Sequence, residues 1–120
     1  MPMARATIRA HHTATSDRPW NGSHAEAELK DAGPQVLRRA YAWADPDGDP
    51  GNKSTYKFIH HEVRDGKVGP ANVRACISGI GVLNGGRGGA DIPSRDRGRV
   101  YAHLAAHLRD AGHDPAPLKK

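Results

Sequence analysis

The segment RDRGRVYAHLAAHLRDAG, residues 95–112, limits the choice of fold more than any other stretch of this chain. Val100, Leu104, Leu108 and Ala111 recur at intervals of three and four, which lines them along one side of a helix, and Gly112 supplies a stop. Pro93 and Ser94 introduce it. A helix with one apolar side must bury that side against another element. The matching surface lies in PANVRACISGIGVL, residues 70–83, where Val73, Cys76, Ile77, Ile80 and Leu83 show the same spacing behind Pro70 at a first-turn position. Gly79 and Gly81 each cost such a helix about 1 kcal/mol against Ala, so they are expected to mark a close approach by another element or an early fraying end. The two helices are therefore expected to pack on each other.

The rest of the chain reads as shorter pieces. Ser23 and Glu26 form an S-x-x-E box, predicting a helix near 24–31 with Trp20 as an anchor before the cap and Gly33-Pro34 as the stop. PQVLRRAYAWA, 34–44, carries Val36, Leu37, Ala40, Tyr41 and Ala44 at helical spacing and predicts a second helix. TYKFIHHEV has high β-propensity, Asp65-Gly66 is a turn signal, and Lys67-Val68 begins a return strand, predicting a hairpin over about 56–68. The fold class is α+β: a small, mostly helical domain with one β-hairpin covering an end of the helix pair. Residues 1–19 read as a flexible basic N-terminal arm, 20–112 as the single α+β domain, and 113–120 as an extended C-terminal tail.

Composition sets limits on partners and compartment. Only 37% of the 120 residues are apolar and there is one Phe, so the core is modest and contacts with a partner are expected to offset part of the ordering entropy. Eighteen Lys and Arg face 13 Asp and Glu for a net charge of +5, which permits binding to an acidic surface. The signs are interspersed, whereas a nucleic-acid protein of this size more often carries a denser stripe. A single cysteine excludes an intramolecular disulfide and a cysteine-cluster zinc site, and suits a reducing cytoplasm. No stretch has the apolar length of a membrane span, and the first residues lack the apolar centre of a secretory signal.

Candidate chemistry is sparse. In DPDGDPGN, three aspartates alternate as in a calcium loop, yet glycine stands at the fourth position and Tyr56 where the bidentate Glu belongs, so a polar turn is expected. His60 and His61 are adjacent in a predicted strand, which sends their side chains to opposite faces, one solvated and one packed. His103 and His107, four apart, share a helix face as metal ligands require, with His113 or His60 as a conceivable third donor; the Glu of H-E-x-x-H is missing. Cys76 reads as a buried small hydrophobe. GIGVLNGG and GGRGGAD lack the Lys-Ser/Thr that completes a phosphate loop, and there is no Gly-x-Ser-x-Gly elbow. From the sequence no catalytic residue, cofactor or metal ligand is assigned, and no enzyme activity is expected.

The series PWNGSHAEAEL, AYAWADPDGDPGNKSTYKFIHHEV, DGKVGPANVRACISGIGVLNGGRGG and IPSRDRGRVYAHLAAHLRDAG resembles a module of actinobacterial phages and prophages. That module is appended to, or encoded beside, the capsid maturation protease of tailed phages with the HK97-type head. The resemblance spans Trp20 to about Pro117. It departs at KFIHHEV, where relatives carry proline before the histidines; Ile59 is thereby free to donate a ladder hydrogen bond. The protease's catalytic Ser and His belong to a larger β-rich domain, so neither carries over to this chain.

The resemblance implies a non-enzymatic head protein, a minor capsid, decoration or assembly-assisting component that binds the major capsid protein and self-associates. It implies the host cytoplasm during assembly and then the virion head as location. The arm residues Arg5, Ile8, Arg9 and Arg18, with Arg87 of the glycine loop, are the expected partner contacts: Ile8 as an apolar plug, the arginines as partners for carboxylates. The alternative is a small basic nucleic-acid-binding protein in which Arg5, Arg9, Lys67, Arg74 and Arg87 meet phosphates. A histidine-dependent metalloenzyme with stoichiometric zinc is the third class.

Overall fold

A computed structural model of the chain describes residues 14–86 and 89–119. Arg5, Ile8, Arg9 and Arg87 lie outside these residues. The described elements run β1 (Thr15–Ser16), α1 (Gly22–Glu28), α2 (Pro34–Ala40), β2 (Tyr41–Ala44), a 3-10 turn (Lys53–Thr55), β3 (Tyr56–Ile59), β4 (His61–Arg64), β5 (Lys67–Asn72), α3 (Val73–Leu83) and α4 (Ser94–Asp110). The class is α+β. The strands form two sheets where one hairpin is expected: β2 pairs antiparallel with β3, and a three-stranded sheet has the order β1-β5-β4, with β1 parallel to β5.

The α3–α4 pairing is as the periodicities indicate. Val73, Cys76, Ile80 and Leu83 join Val100, Leu104 and Leu108 in one buried cluster, together with Ala42 and Trp43 of β2. Gly79 makes the close approach possible, since a Cβ there would lie 2.8 Å from Leu104 Cδ1 and 3.4 Å from Phe58 Cδ1. Ile77 is the exception. It is 52% exposed, because a helix that packs on one side leaves part of its apolar stripe to solvent. Gly112, with φ of +80°, ends α4 as expected.

Four local expectations give way to tertiary contacts. The first helix starts at Gly22, capped by Asn21, whose side chain accepts from the His24 N–H at 3.0 Å; Glu26 is drawn instead to the Tyr41 hydroxyl, which donates to it at 2.8 Å. The second helix stops at Ala40. Tyr41 turns extended and pairs with Ile59, so the aromatic residues of YAWA follow their β-propensity once β3 supplies a partner. The expected 56–68 hairpin splits: β3 goes to β2, while β4 and β5 form the hairpin around Asp65 and Gly66, whose φ values of 52° and 78° fit a two-residue primed turn. Pro70 lies within β5, and the cap of α3 is Asn72, which accepts from the Ala75 N–H at 3.0 Å. A proline is tolerated there because the register slips between the His61–Ala71 and Val63–Val68 pairs, so Pro70 sits at the irregularity.

A second apolar cluster joins Ala25, Leu29, Leu37, Ala40, Tyr41, Ala44, Tyr56 and Val63, with Trp20 packed against it. Strand β2 is buried along its whole length because it stands between the two clusters. The tail after α4 runs back along the helix. Leu118 packs on the α3–α4 cluster, the Tyr101 hydroxyl donates to Ala116 O at 2.8 Å, and Lys119 N–H donates to Asn84 Oδ1 at 2.7 Å. Among the described residues no helix is long and apolar enough to cross a membrane.

Candidate metal centre

His60 sits where the chain leaves one sheet for the other. Its N–H donates to Ala40 O at 3.0 Å on the β2–β3 side, and its carbonyl accepts from the Asn72 N–H at 2.7 Å on the β4–β5 side. Phe58, two residues earlier, has φ of +66°, a conformation that a bulky residue adopts only when its surroundings hold it. Alternation of side chains holds within one continuous strand. Here the strand is interrupted at His60, and the expected separation of the histidine pair fails. His60 and His61 are 0% and 1% exposed, with ring centroids 4.6 Å apart.

Helix α4 contributes the other half. His103 and His107 are on one face as their spacing predicts, each 1% exposed, with centroids 5.2 Å apart. The His60 ring touches all of the others: its centroid is 4.8 Å from that of His103 and 5.0 Å from that of His107, and the His61 and His107 rings are 5.2 Å apart. Of the two third donors conceivable from sequence, His60 joins the pair, while His113 is exposed beyond the end of α4.

Backbone carbonyls orient two of the rings. His60 Nδ1 lies 2.9 Å from Phe58 O, and His61 Nδ1 lies 2.9 Å from Gly69 O. A carbonyl can only accept, so each Nδ1 carries the hydrogen and each neutral ring keeps its lone pair on Nε2. His60 Nε2 is 3.1 Å from His103 Nε2, so His103 donates to it. Burial holds the His60 imidazole far below its ordinary pKa, and the neighbouring His61, His103 and His107 push the same way against the Phe58 carbonyl. His60 is a neutral base.

The donor set fits a metal of the imidazole-loving kind. One ring nitrogen from each of His60, His61 and His107 lies within 4.8 Å of the others. A tetrahedral zinc with bonds of about 2.0–2.1 Å needs its nitrogens about 3.3–3.4 Å apart, so a contraction of up to about 1.5 Å closes the set. No carboxylate belongs to it. Cys76 is in the apolar α3–α4 cluster, and burial pushes its thiol up to about 12, which makes it inert as a nucleophile near neutral pH.

The remaining candidates are dispersed. Arg18 is exposed, with its guanidinium 3.8 Å from Glu62 and its carbonyl accepting from Asn72 Nδ2 at 3.0 Å. Arg74 pairs with Asp17 at 3.5 Å, and Lys67 is exposed. Asp45 and Asp49 turn inward on their own loop, accepting from the N–H groups of Asp47 and Gly51 at 2.9 Å each, as a polar turn requires. The spacing of His103 and His107 points to a shared face, but alternation along a strand sets His60 and His61 apart, and nothing local signals that the strand is broken at His60 so that both join the pair. Comparison with known proteins finds no matching family model, no matching curated protein and no matching solved structure.

Proposed function

We propose that this chain is a non-enzymatic head protein of a tailed phage, binding the capsid lattice as a minor capsid, decoration or assembly-assisting component. The observation that carries the reading is the way the N-terminal segment meets the domain. Thr15 and Ser16 lie parallel along β5, and Ala14 O accepts from the Ala71 N–H at 2.9 Å, so the first described residues form a sheet edge. A two-residue edge strand leaves room for a partner strand to extend the same sheet. Beside it, an open groove of about 640 Å³ is lined by apolar residues such as Trp20 and Val63 and by charges of both signs, Arg18, Glu62 and Lys67. Many weak copies of such a contact on a lattice add up through avidity. The resemblance to the phage module supplies the partner class, the major capsid protein.

The test is co-sedimentation of the purified full chain with heads assembled from the major capsid protein, alongside a chain lacking residues 1–13. The full chain is expected to co-sediment. The shortened chain should bind less while its thermal midpoint is unchanged, and mass spectrometry of purified virions should give a copy number commensurate with the lattice. Failure of the full chain to associate, together with DNA binding that falls steeply with salt, would overturn this reading in favour of the nucleic-acid alternative.

A further inference from the structure

We propose that His60, His61 and His107 bind a single late first-row divalent cation, zinc being the ion to probe, with His103 near enough to complete the coordination. Three independent features converge. One ring nitrogen from each of the three lies within 4.8 Å of the others. Their donors come from two elements far apart in sequence, the β3–β4 junction and α4, and all four rings are at most 1% exposed. Finally, the Nδ1–H groups of His60 and His61 are tied to the carbonyls of Phe58 and Gly69 at 2.9 Å. That is the outer-shell arrangement by which metal-bound histidines are oriented, with Nε2 left to donate its lone pair.

The chemistry of the set selects the ion. Neutral imidazole nitrogens without a carboxylate suit zinc, nickel or copper and are poor ligands for calcium or magnesium. The 3.1 Å between the Nε2 atoms of His60 and His103 is close to the spacing of two nitrogens on one tetrahedral ion. If His103 joins, its proton moves from Nε2 to Nδ1 and both rings stay neutral. Four nitrogens in a dry site leave no open position for substrate, so the ion is structural: it ties the junction between the two sheets to the C-terminal helix in a chain that has no disulfide. This is independent of capsid docking.

Zinc is removed from the full chain with a chelator and added back against a chromophoric competitor. His11 and His12 are replaced by Ala in every sample, so that N-terminal histidines do not contribute. One zinc per chain is expected, with a thermal midpoint that climbs as free zinc rises. His107→Gln and His61→Gln should each weaken binding by about 100-fold or more, since even outer-shell changes cost 10–100-fold, while His24→Gln and His113→Gln leave it unaltered. Cobalt added to the otherwise unmodified protein should give the intense visible absorption of a tetrahedral nitrogen site, a readout that needs no cluster variant to fold. Substoichiometric zinc, or a cobalt spectrum of a six-coordinate hydrated ion, would overturn the proposal. So would affinity that survives His107→Gln in a folded variant.

Discussion

Helix α4 has two working sides, and they hold the molecule together by different physics. Val100, Leu104 and Leu108 pack into α3 through apolar contact alone. His103 and His107 face the β3–β4 junction, where every ring is buried and hydrogen bonds orient those of His60, His61 and His103. The apolar side tolerates any arrangement that fills its volume, since packing is non-directional. The histidine side demands particular tautomers and carbonyl positions, because a buried polar atom that loses its partner costs more than the bond contributed. A small chain with few large hydrophobes has filled part of its interior with imidazoles, and its conditional behaviour is concentrated there.

The largest break is expected on the apolar side. Leu104→Ala removes a 0%-exposed side chain against which Gly79 is packed, and should cost about 2–5 kcal/mol in denaturant unfolding. Gly79→Ala places a methyl 2.8 Å from Leu104 Cδ1; overpacking of about 1–3 kcal/mol, less the about 1 kcal/mol that Ala gains in helix propensity, should leave a net cost of about 0–2 kcal/mol. A midpoint unchanged in Leu104→Ala would mean that α3 and α4 do not share this core.

The histidine side should respond less to substitution and more to solution conditions. His60→Leu keeps the volume but leaves the Phe58 carbonyl and His103 Nε2 without their present contacts, at an expected cost of about 1–3 kcal/mol in chelated protein. Its pH signature distinguishes it from Leu104→Ala. With its pKa depressed by burial and by His61, His103 and His107, His60 stays neutral in the folded chain, whereas the unfolded chain takes up a proton near the ordinary value of 6.5. The unfolded state therefore binds more protons below that pH, so the contribution is fully present above about 6.5 and declines as pH falls through it. His60→Leu should flatten this slope in metal-free protein, and Leu104→Ala should leave it intact. Equal slopes in the two variants would remove His60 as its source.

Smaller effects sharpen the contrast at the surface. Cys76, 0% exposed, should react slowly with a thiol reagent in native protein and quickly in denaturant; fast native labelling would place it outside the apolar side. Arg18→Ala breaks an exposed contact to Glu62 at 3.8 Å and should change stability by less than about 0.5 kcal/mol. A weaker co-sedimentation in the same variant separates a docking role from a folding one.

The sequence by itself determined what repeats at a fixed interval. Val100, Leu104 and Leu108 announce α4, the spacing from Val73 to Leu83 announces α3, and Asp65-Gly66 announces the β4–β5 turn, because periodicity and turn chemistry act between near neighbours. For Gly79 and Gly81 the sequence leaves a close approach and a fraying end both open; the structure makes Gly79 the close approach, while a Cβ at Gly81 would meet nothing within 4 Å. The tertiary structure alone decided that Tyr41–Ala44 is a strand, since YAWA satisfies helical spacing and only β3 alongside makes extension the better state. It also decided where His60 and His61 point. Their neighbours permit an unbroken strand, and it is the Ala40 carbonyl on one side and the Asn72 N–H on the other that capture His60 between two sheets and turn both rings toward α4. Hydrogen bonds between residues twelve and twenty positions apart in the chain leave no trace in the spacing of either partner.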